Sequence, residues 1–356
     1  MMEDKKEELV NIGIIGSGFM GQIAHLQCYS TIQQCQIKAI AEIRPKLRQK
    51  ISERYGIPKT YKHHTDLIKH CNELNGVVVV TRRNMTGPIV LDCLNSGLAV
   101  MTEKPMASTF EQSKLLVETA KKNNVVFKVG YNKRYDEGVI EVKNILENLS
   151  FTKELGDIIF ARAHRFSGTG YCNMQPEVIT DDKYPENMHE WSGSPDWLPE
   201  EWGIEYHRYL NTFSHNINLL RYFFECTPEV EYTSLRDSGS QIVILNFGKF
   251  KATLETKNYY DNNWDELTEI FFEHGCLIIE TPPQLLKNVA AKIRLFNRKD
   301  GSIKTARVPK WSWSFQRQAE SYIQDIVKNK STITTGIDSL EDIRLIENIW
   351  KHELKL

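Results

Sequence analysis

With 356 residues, 41% of them hydrophobic and 26% charged, the chain is composed like a folded protein long enough for two cores, which excludes a disordered or fibrous one. Its 45 basic and 46 acidic side chains leave a net charge of −1, so no overall field is present to hold nucleic acid or an anionic membrane, and a small molecule is the partner that fits. The seven cysteines (Cys28, Cys35, Cys71, Cys93, Cys172, Cys226, Cys276) are scattered and lack Cys-x-x-Cys spacing, so they read as buried thiols of a reducing compartment.

Residues 1–8 form a mixed-charge run without the apolar stretch of a signal peptide. No apolar run approaches the ~18 residues of a membrane span, and the expectation is a cytoplasmic protein. From residue 9 the chain alternates short apolar runs at 9–15, 36–41, 76–80, 99–102 and 125–129 with helical spacing at 21–31, 45–55, 88–96 and 109–123. Strands buried on both faces and separated by helices predict a parallel sheet, with Pro45 at a first helical position and Thr109 as an N-cap. Residues 1–130 are therefore expected to form a doubly wound Rossmann domain.

Residues 131–356 read differently. Strand patterns recur at 157–164, 241–247, 250–256, 267–272, 277–280, 291–296 and 302–308, with tight turns at His274-Gly275 and Lys299-Asp-Gly301. Phe250, Ala252 and Leu254 alternate with Lys251, Thr253 and Glu255, the pattern of a sheet with one face packed and one open. The class expected is thus α/β, a Rossmann domain followed by an α+β substrate domain with an open-faced, mainly antiparallel sheet, the C-terminal helix able to pack back on the first domain. That open face is a surface for a homodimer or homotetramer. A long Pro- and Trp-rich insertion, 166–205, precedes a helix at 205–224 whose apolar stripe runs through Tyr206, Leu210, Phe213, Ile217, Leu220 and Phe224. The histidines lack partners at ligand spacing, so no metal is expected, and His63-His64 reads as an exposed loop pair.

The first strand runs into Gly16-Ser-Gly18-Phe19-Met20-Gly21, and a helix follows. In that context the glycines permit a tight turn, close approach of a pyrophosphate and close helix packing. Free N–H groups at the helix start would meet the diphosphate. Glu42, ending the second strand, suits ribose hydroxyls and repels a 2′-phosphate, which favours NAD; Arg44 and Arg48 nearby keep NADP as the alternative.

With Glu103-Lys104-Pro105 after the fifth strand, Gly130-Tyr131-Asn132-Lys133-Arg134-Tyr135 after the sixth, and Thr212-Phe-Ser-His215 on the long helix, the chain resembles the glucose–fructose oxidoreductase/inositol dehydrogenase family over nearly its whole length. The resemblance implies an NAD(P)-dependent sugar or cyclitol dehydrogenase or ketoreductase. It places the dinucleotide at Gly16, Gly18, Phe19, Met20, Gly21, Glu42, Arg44, Thr81, Glu103 and Lys104. Two segments depart from the family pattern: Asn211 and Asn218 stand where it has aspartates around His215, and Thr81-Arg-Arg-Asn-Met-Thr86 replaces Thr-Pro-x-x-x-His.

Hydride transfer at a carbinol needs a group to polarise the oxygen and one to move its proton. Lys104 is assigned to the first role, His215 to the second, and Asn211 to orienting the imidazole or a substrate hydroxyl. Asn211, His215, Asn218 and Tyr222 share one helix face, which is expected to border a cleft. Tyr131, Asn132, His164, Arg165 and Tyr171 are further candidates for substrate hydroxyls. Arg82, Arg83, Lys133, Arg134 and Arg165 offer charge for a nucleotide-linked sugar and otherwise read as surface residues. An NAD-dependent lyase or glycosidase with transient oxidation, or a non-catalytic dinucleotide sensor, are the alternative functions.

Overall fold

A computed structural model describes residues 9–168, 174–185, 188–236, 240–258, 263–306 and 312–356. The first elements are β1 (Val10–Ile15), a π-helical turn (Gly21–Leu26) running into α1 (Gln27–Ser30), β2 (Cys35–Ala41), α2 (Pro45–Tyr55), β3 (Lys59–Tyr61), α3 (His64–His70) and β4 (Gly76–Val79). Next come α4 (Arg83–Asn95), β5 (Ala99–Thr102), α5 (Phe110–Lys122), β6 (Phe127–Val129), α6 (Glu137–Thr152), β7 (Ile158–Ser167) and α7 (Gly203–Phe224). The chain then forms β8 (Glu229–Ser234), β9 (Gln241–Asn246), β10 (Lys251–Asn258), β11 (Trp264–Phe272), β12 (Gly275–Glu280), β13 (Lys292–Asn297) and β14 (Ile303–Thr305), and ends in α8 (Ser314–Lys328) and α9 (Gly336–Leu354).

Two compact units result, one from 1–130, 175–203 and 315–340, the other from 131–174, 204–314 and 341–356. The first carries a parallel sheet in the order β3-β2-β1-β4-β5-β6. Val77, Val78 and Val79 of β4 are wholly buried, which is why a run without alternation forms a strand here. Caps fix the helix ends: Pro45 opens α2, Gly56 closes it in the left-handed region, and the Thr109 hydroxyl accepts the Gln112 N–H at the start of α5. Tyr322 of α8 reaches the sheet, donating to the Val77 carbonyl at 3.0 Å. Beside it Lys128 of β6 and Asp325 of α8 pair at 0% and 1% exposure.

The second unit carries an eight-stranded sheet in the order β14-β13-β12-β11-β7-β10-β9-β8. It is antiparallel throughout except where β10 runs parallel to β7. One face packs on α6 and α7 through Val139, Val142, Leu219, Phe223, Ile270 and Leu277. The other bears the side chains that alternate away from that core, so the class is the α/β pair of domains that the sequence predicts.

Local readings differ in several places. α4 starts at Arg83, five residues before the expected start at 88, and carries Pro88 inside it. The polar strand Lys59–Tyr61 and helix His64–His70 fall in a stretch given no element in the sequence reading, and of the pair read as an exposed loop His63 is exposed whereas His64 is half-buried in the helix and pairs with Asp92 at 2.8 Å. Of the cysteines, Cys28, Cys71, Cys93 and Cys276 are buried as expected, whereas Cys35 is half-buried and Cys226 exposed. Tyr171, Cys172 and the end of the strand expected at 302–308 lie outside the described residues. Among the described residues no helix is long and apolar enough to cross a membrane.

Candidate functional site

In the first unit the glycine turn leaves the carboxyl end of β1. Gly16 has φ +91°, and a Cβ there would stand 2.3 Å from the Val80 carbonyl oxygen, so only glycine fits. Gly18 has open space apart from the Arg44 guanidinium at 3.8 Å, and Gly21 packs against the Gly16 carbonyl. Phe19 and Met20 are half-buried on the same turn.

Glu42, at the end of β2, is 3% exposed. One carboxylate oxygen accepts the Ser17 N–H and hydroxyl at 2.9 and 3.0 Å, and Arg44 grips both oxygens at 2.8 and 3.0 Å. Burial pushes the Glu42 carboxyl up, but hydrogen bonding and charge from Arg44 outweigh it and the net pKa is lowered. The Arg44 guanidinium lies 4.6 Å from the Tyr184 ring centre, and Arg82 lies 3.6 Å from the same ring. Arg48 donates to the Glu42 main-chain carbonyl at 2.6 Å.

The remaining residues of this edge end β4 and β5. Thr81 exchanges a hydrogen bond with Thr86 at 3.0 Å, closing the turn into α4. Glu103 pairs with His25 Nε2 at 2.7 Å and accepts the Lys104 N–H at 3.2 Å, while Lys104 itself is half-exposed. Gly16, Glu42, Thr81 and Lys104 thus follow the carboxyl ends of β1, β2, β4 and β5, four neighbouring strands, where ligands of open α/β sheets bind. The set fits a dinucleotide: a glycine turn whose Gly16 admits no Cβ, a carboxylate for a ribose, and an ammonium at the far strand. His25, Ser17 and Tyr184 escaped the sequence reading because nothing in their spacing marks them.

In the second unit His215 is 2% exposed on α7, with its ring edge-on to Tyr131 at 5.9 Å. Burial raises the Tyr131 phenol well above its ordinary pKa, with the nearby charge of Asp342 adding to it. Asn132 donates to the Ser314 hydroxyl at 3.0 Å, and Asn211 is half-buried one turn before His215. Arg165 reaches α7 by donating to the Thr212 carbonyl, and its guanidinium lies 4.8 Å from the Trp264 ring centre. His164, next along β7, points to the opposite face and pairs with Asp265 at 2.8 Å, so it is not brought together with His215.

Three arginine and lysine positions read as surface charge are buried: Lys133 at 3%, Arg134 at 5% and Arg165 at 7% exposure. Lys133 pairs with Glu266, which also accepts from Asn216 at 3.1 Å. Burial pulls the Lys133 pKa down to about 8, with the Arg165 charge pulling the same way and Glu266 opposing. The expected cleft-facing row of α7 also divides. Asn218, buried, bonds Asp342 and Arg134, both at 2.7 Å, and the half-buried Tyr222 lies under the Arg134 guanidinium, so the far half of that row is taken up in structural contacts.

Residues 10–131 match the model of an oxidoreductase family with an NAD-binding Rossmann fold. A myo-inositol 2-dehydrogenase of Thermotoga maritima is 29% identical over 139 residues, 39% of this chain and 41% of that protein. An inositol 2-dehydrogenase of Salmonella typhimurium is 27% identical over 187 residues, 52% of this chain and 50% of that protein. The chain thus spans at most half the length of these curated relatives. A solved levoglucosan dehydrogenase in complex with NADH and levoglucosan superposes with TM-score 0.77 over 98% of both chains at 17% identity, a likeness of fold.

Proposed function

We propose that the protein, whose residues 10–131 match the model of an oxidoreductase family with an NAD-binding Rossmann fold, transfers a hydride between a nicotinamide dinucleotide and a secondary alcohol or ketone of a sugar, a cyclitol or a nucleotide-linked sugar. The first unit is the dinucleotide-binding domain and the second the substrate domain. Gly16, Gly18, Phe19, Met20 and Gly21 hold the diphosphate, Glu42 and Arg44 the adenosine ribose, and Thr81, Glu103 and Lys104 the nicotinamide end. When bound, the dinucleotide supplies a hydride donor or acceptor. Lys104 polarises the substrate oxygen as charge grows on it, His215 takes or returns the hydroxyl proton, and Asn211 orients the imidazole or a hydroxyl. Tyr131, Asn132 and Arg165 offer hydroxyl contacts. The free thiols suit a reducing, cytoplasmic setting.

The observation that carries this reading is the position of Lys104 at the carboxyl end of β5, in line with the glycine turn and Thr81 across neighbouring strands. The test is net reduction of NAD or NADP against a panel of polyols, aldoses and cyclitols. Lys104→Met is expected to lower turnover by at least ~100-fold, the scale of a lost acid–base group, with dinucleotide affinity changed only a few-fold. His215→Ala is expected to be milder, since a neutral Asn211 stands where the family resemblance has an aspartate one turn before the histidine. A Lys104→Met protein that keeps most of its turnover would remove the assignment. Product formed without net cofactor reduction would point instead to a lyase or glycosidase with transient oxidation. Tight dinucleotide binding without any turnover would point to a sensor.

A further inference from the structure

The insertion between β7 and α7 belongs to the first unit from 175 to 203. It is buckled across the carboxyl edge of the parallel sheet at successive points. Gln22, 3% exposed, exchanges two hydrogen bonds with the Val178 main chain at 3.1 and 2.9 Å. Asp182 accepts the Leu47 N–H at 2.9 Å, capping α2, whose own N-cap residue Arg44 supplies no side-chain acceptor. The Trp191 main-chain N–H donates to the Asn84 carbonyl at 2.8 Å. That carbonyl is available because Pro88, four residues on, has no N–H to give it. The indole lies on bare Gly87, where a Cβ would stand 2.2 Å from the ring.

Between these anchors sits Tyr184, with the guanidiniums of both Arg44 and Arg82 on its ring. Arg44 is thereby held from two sides, by Glu42 and by an aromatic ring. A 2′-phosphate needs a cation free to turn toward it. Arg44 and Arg82 are engaged with Tyr184, Arg48 with the Glu42 carbonyl, and Lys46 with Asp181, while Glu42 and Asp182 remain to repel a phosphate.

We propose that Tyr184 is a positioning residue that sets dinucleotide selectivity: by holding Arg44 in its ion pair with Glu42, it denies a 2′-phosphate its cation and makes the site prefer NAD over NADP. The inference rests on the dinucleotide-binding reading above and adds a determinant that lies about 140 residues away in sequence from the carboxylate it serves.

The test uses the full-length protein and titrates NADH and NADPH separately, following nicotinamide fluorescence. The wild type is expected to prefer NADH. Tyr184→Ala is expected to shrink that preference by about tenfold, chiefly through tighter NADPH binding, the scale of one cation–π contact. Tyr184→Leu keeps the bulk without the π face and is expected to shift the same way, which guards against an effect of lost packing. Tyr184→Phe keeps the face and is expected to retain the wild-type ratio. An unchanged ratio in the Ala and Leu variants, or equal weakening of both cofactors, overturns the proposal while leaving the dinucleotide site standing. A wild type that prefers NADPH overturns it as well. A wild type that binds neither cofactor defeats the underlying reading first.

Discussion

Glu42 carries five donor contacts while almost wholly buried, so its charge is one of the folded state's local commitments. Its pKa is lowered from the ordinary 4.5, which fixes the sign of the linkage. The stabilisation is fully present above 4.5 and is lost as pH falls through the lower folded value. Glu42→Gln is therefore expected to melt several degrees below the wild type at neutral pH, from a loss of ~1.5–3 kcal/mol for charge-assisted hydrogen bonds. Melting curves taken from pH 7 downward check it: the gap should close on the acid side, and a pH-independent gap would mean the carboxylate's charge contributes nothing. Glu42 itself was legible in the sequence, because a strand end about 20 residues past a glycine turn has one common use. Its partners were partly legible. Arg44 stood next to it, but Tyr184 and His25 come from segments whose local pattern says nothing about what they face.

At the scale of elements, the strands of the parallel sheet and the helices with explicit caps were readable, since their cause is local. The start of α4 was not. A proline suggests a first helical position, yet here the helix begins at Arg83 and tolerates Pro88 because the freed carbonyl finds Trp191. Lys59–Tyr61 was missed because three polar residues at a sheet edge carry no hydrophobic period. The tie between α8 and β6 was equally invisible, being a lysine and an aspartate about 200 residues apart. Lys128 and Asp325 are both buried, and Asp325 also accepts the Thr332 hydroxyl at 2.9 Å. Asp325→Ala is expected to cost about 3–5 kcal/mol by stranding a buried ammonium. The double variant Lys128→Met/Asp325→Leu should recover much of that loss in denaturant melts. Equal stability of the single and double variants would show that the pair's charges are not what matters.

For the whole molecule, the exposed face of the eight-stranded sheet suggests self-association. It presents Phe160 and Phe271 with ring centres 6.2 Å apart, and Ile242, Tyr232 and Ile303 stand 40%, 50% and 69% exposed. Arg162 at its middle pairs with Glu255 at 2.8 Å, leaving a band of apolar and paired charged groups suited to a second copy of itself. Light scattering after size exclusion is expected to give a dimer or tetramer, and Phe160→Asp to shift it toward monomer with dinucleotide binding intact; a monomeric wild type would sink the idea.

The segment that matches an oxidoreductase model ends at residue 131, while the unit that contains it also draws on 175–203 and 315–340. The chain lies in six stretches and therefore crosses between the units five times. Anyone transplanting the first 131 residues as a cofactor-binding cassette would leave behind the tyrosine that meets β4, the carboxylate facing Lys128 and the buckle over the glycine turn. Such a graft would inherit the signature without these contacts, so a portable form of the first unit has to carry 175–203 and 315–340 along with it.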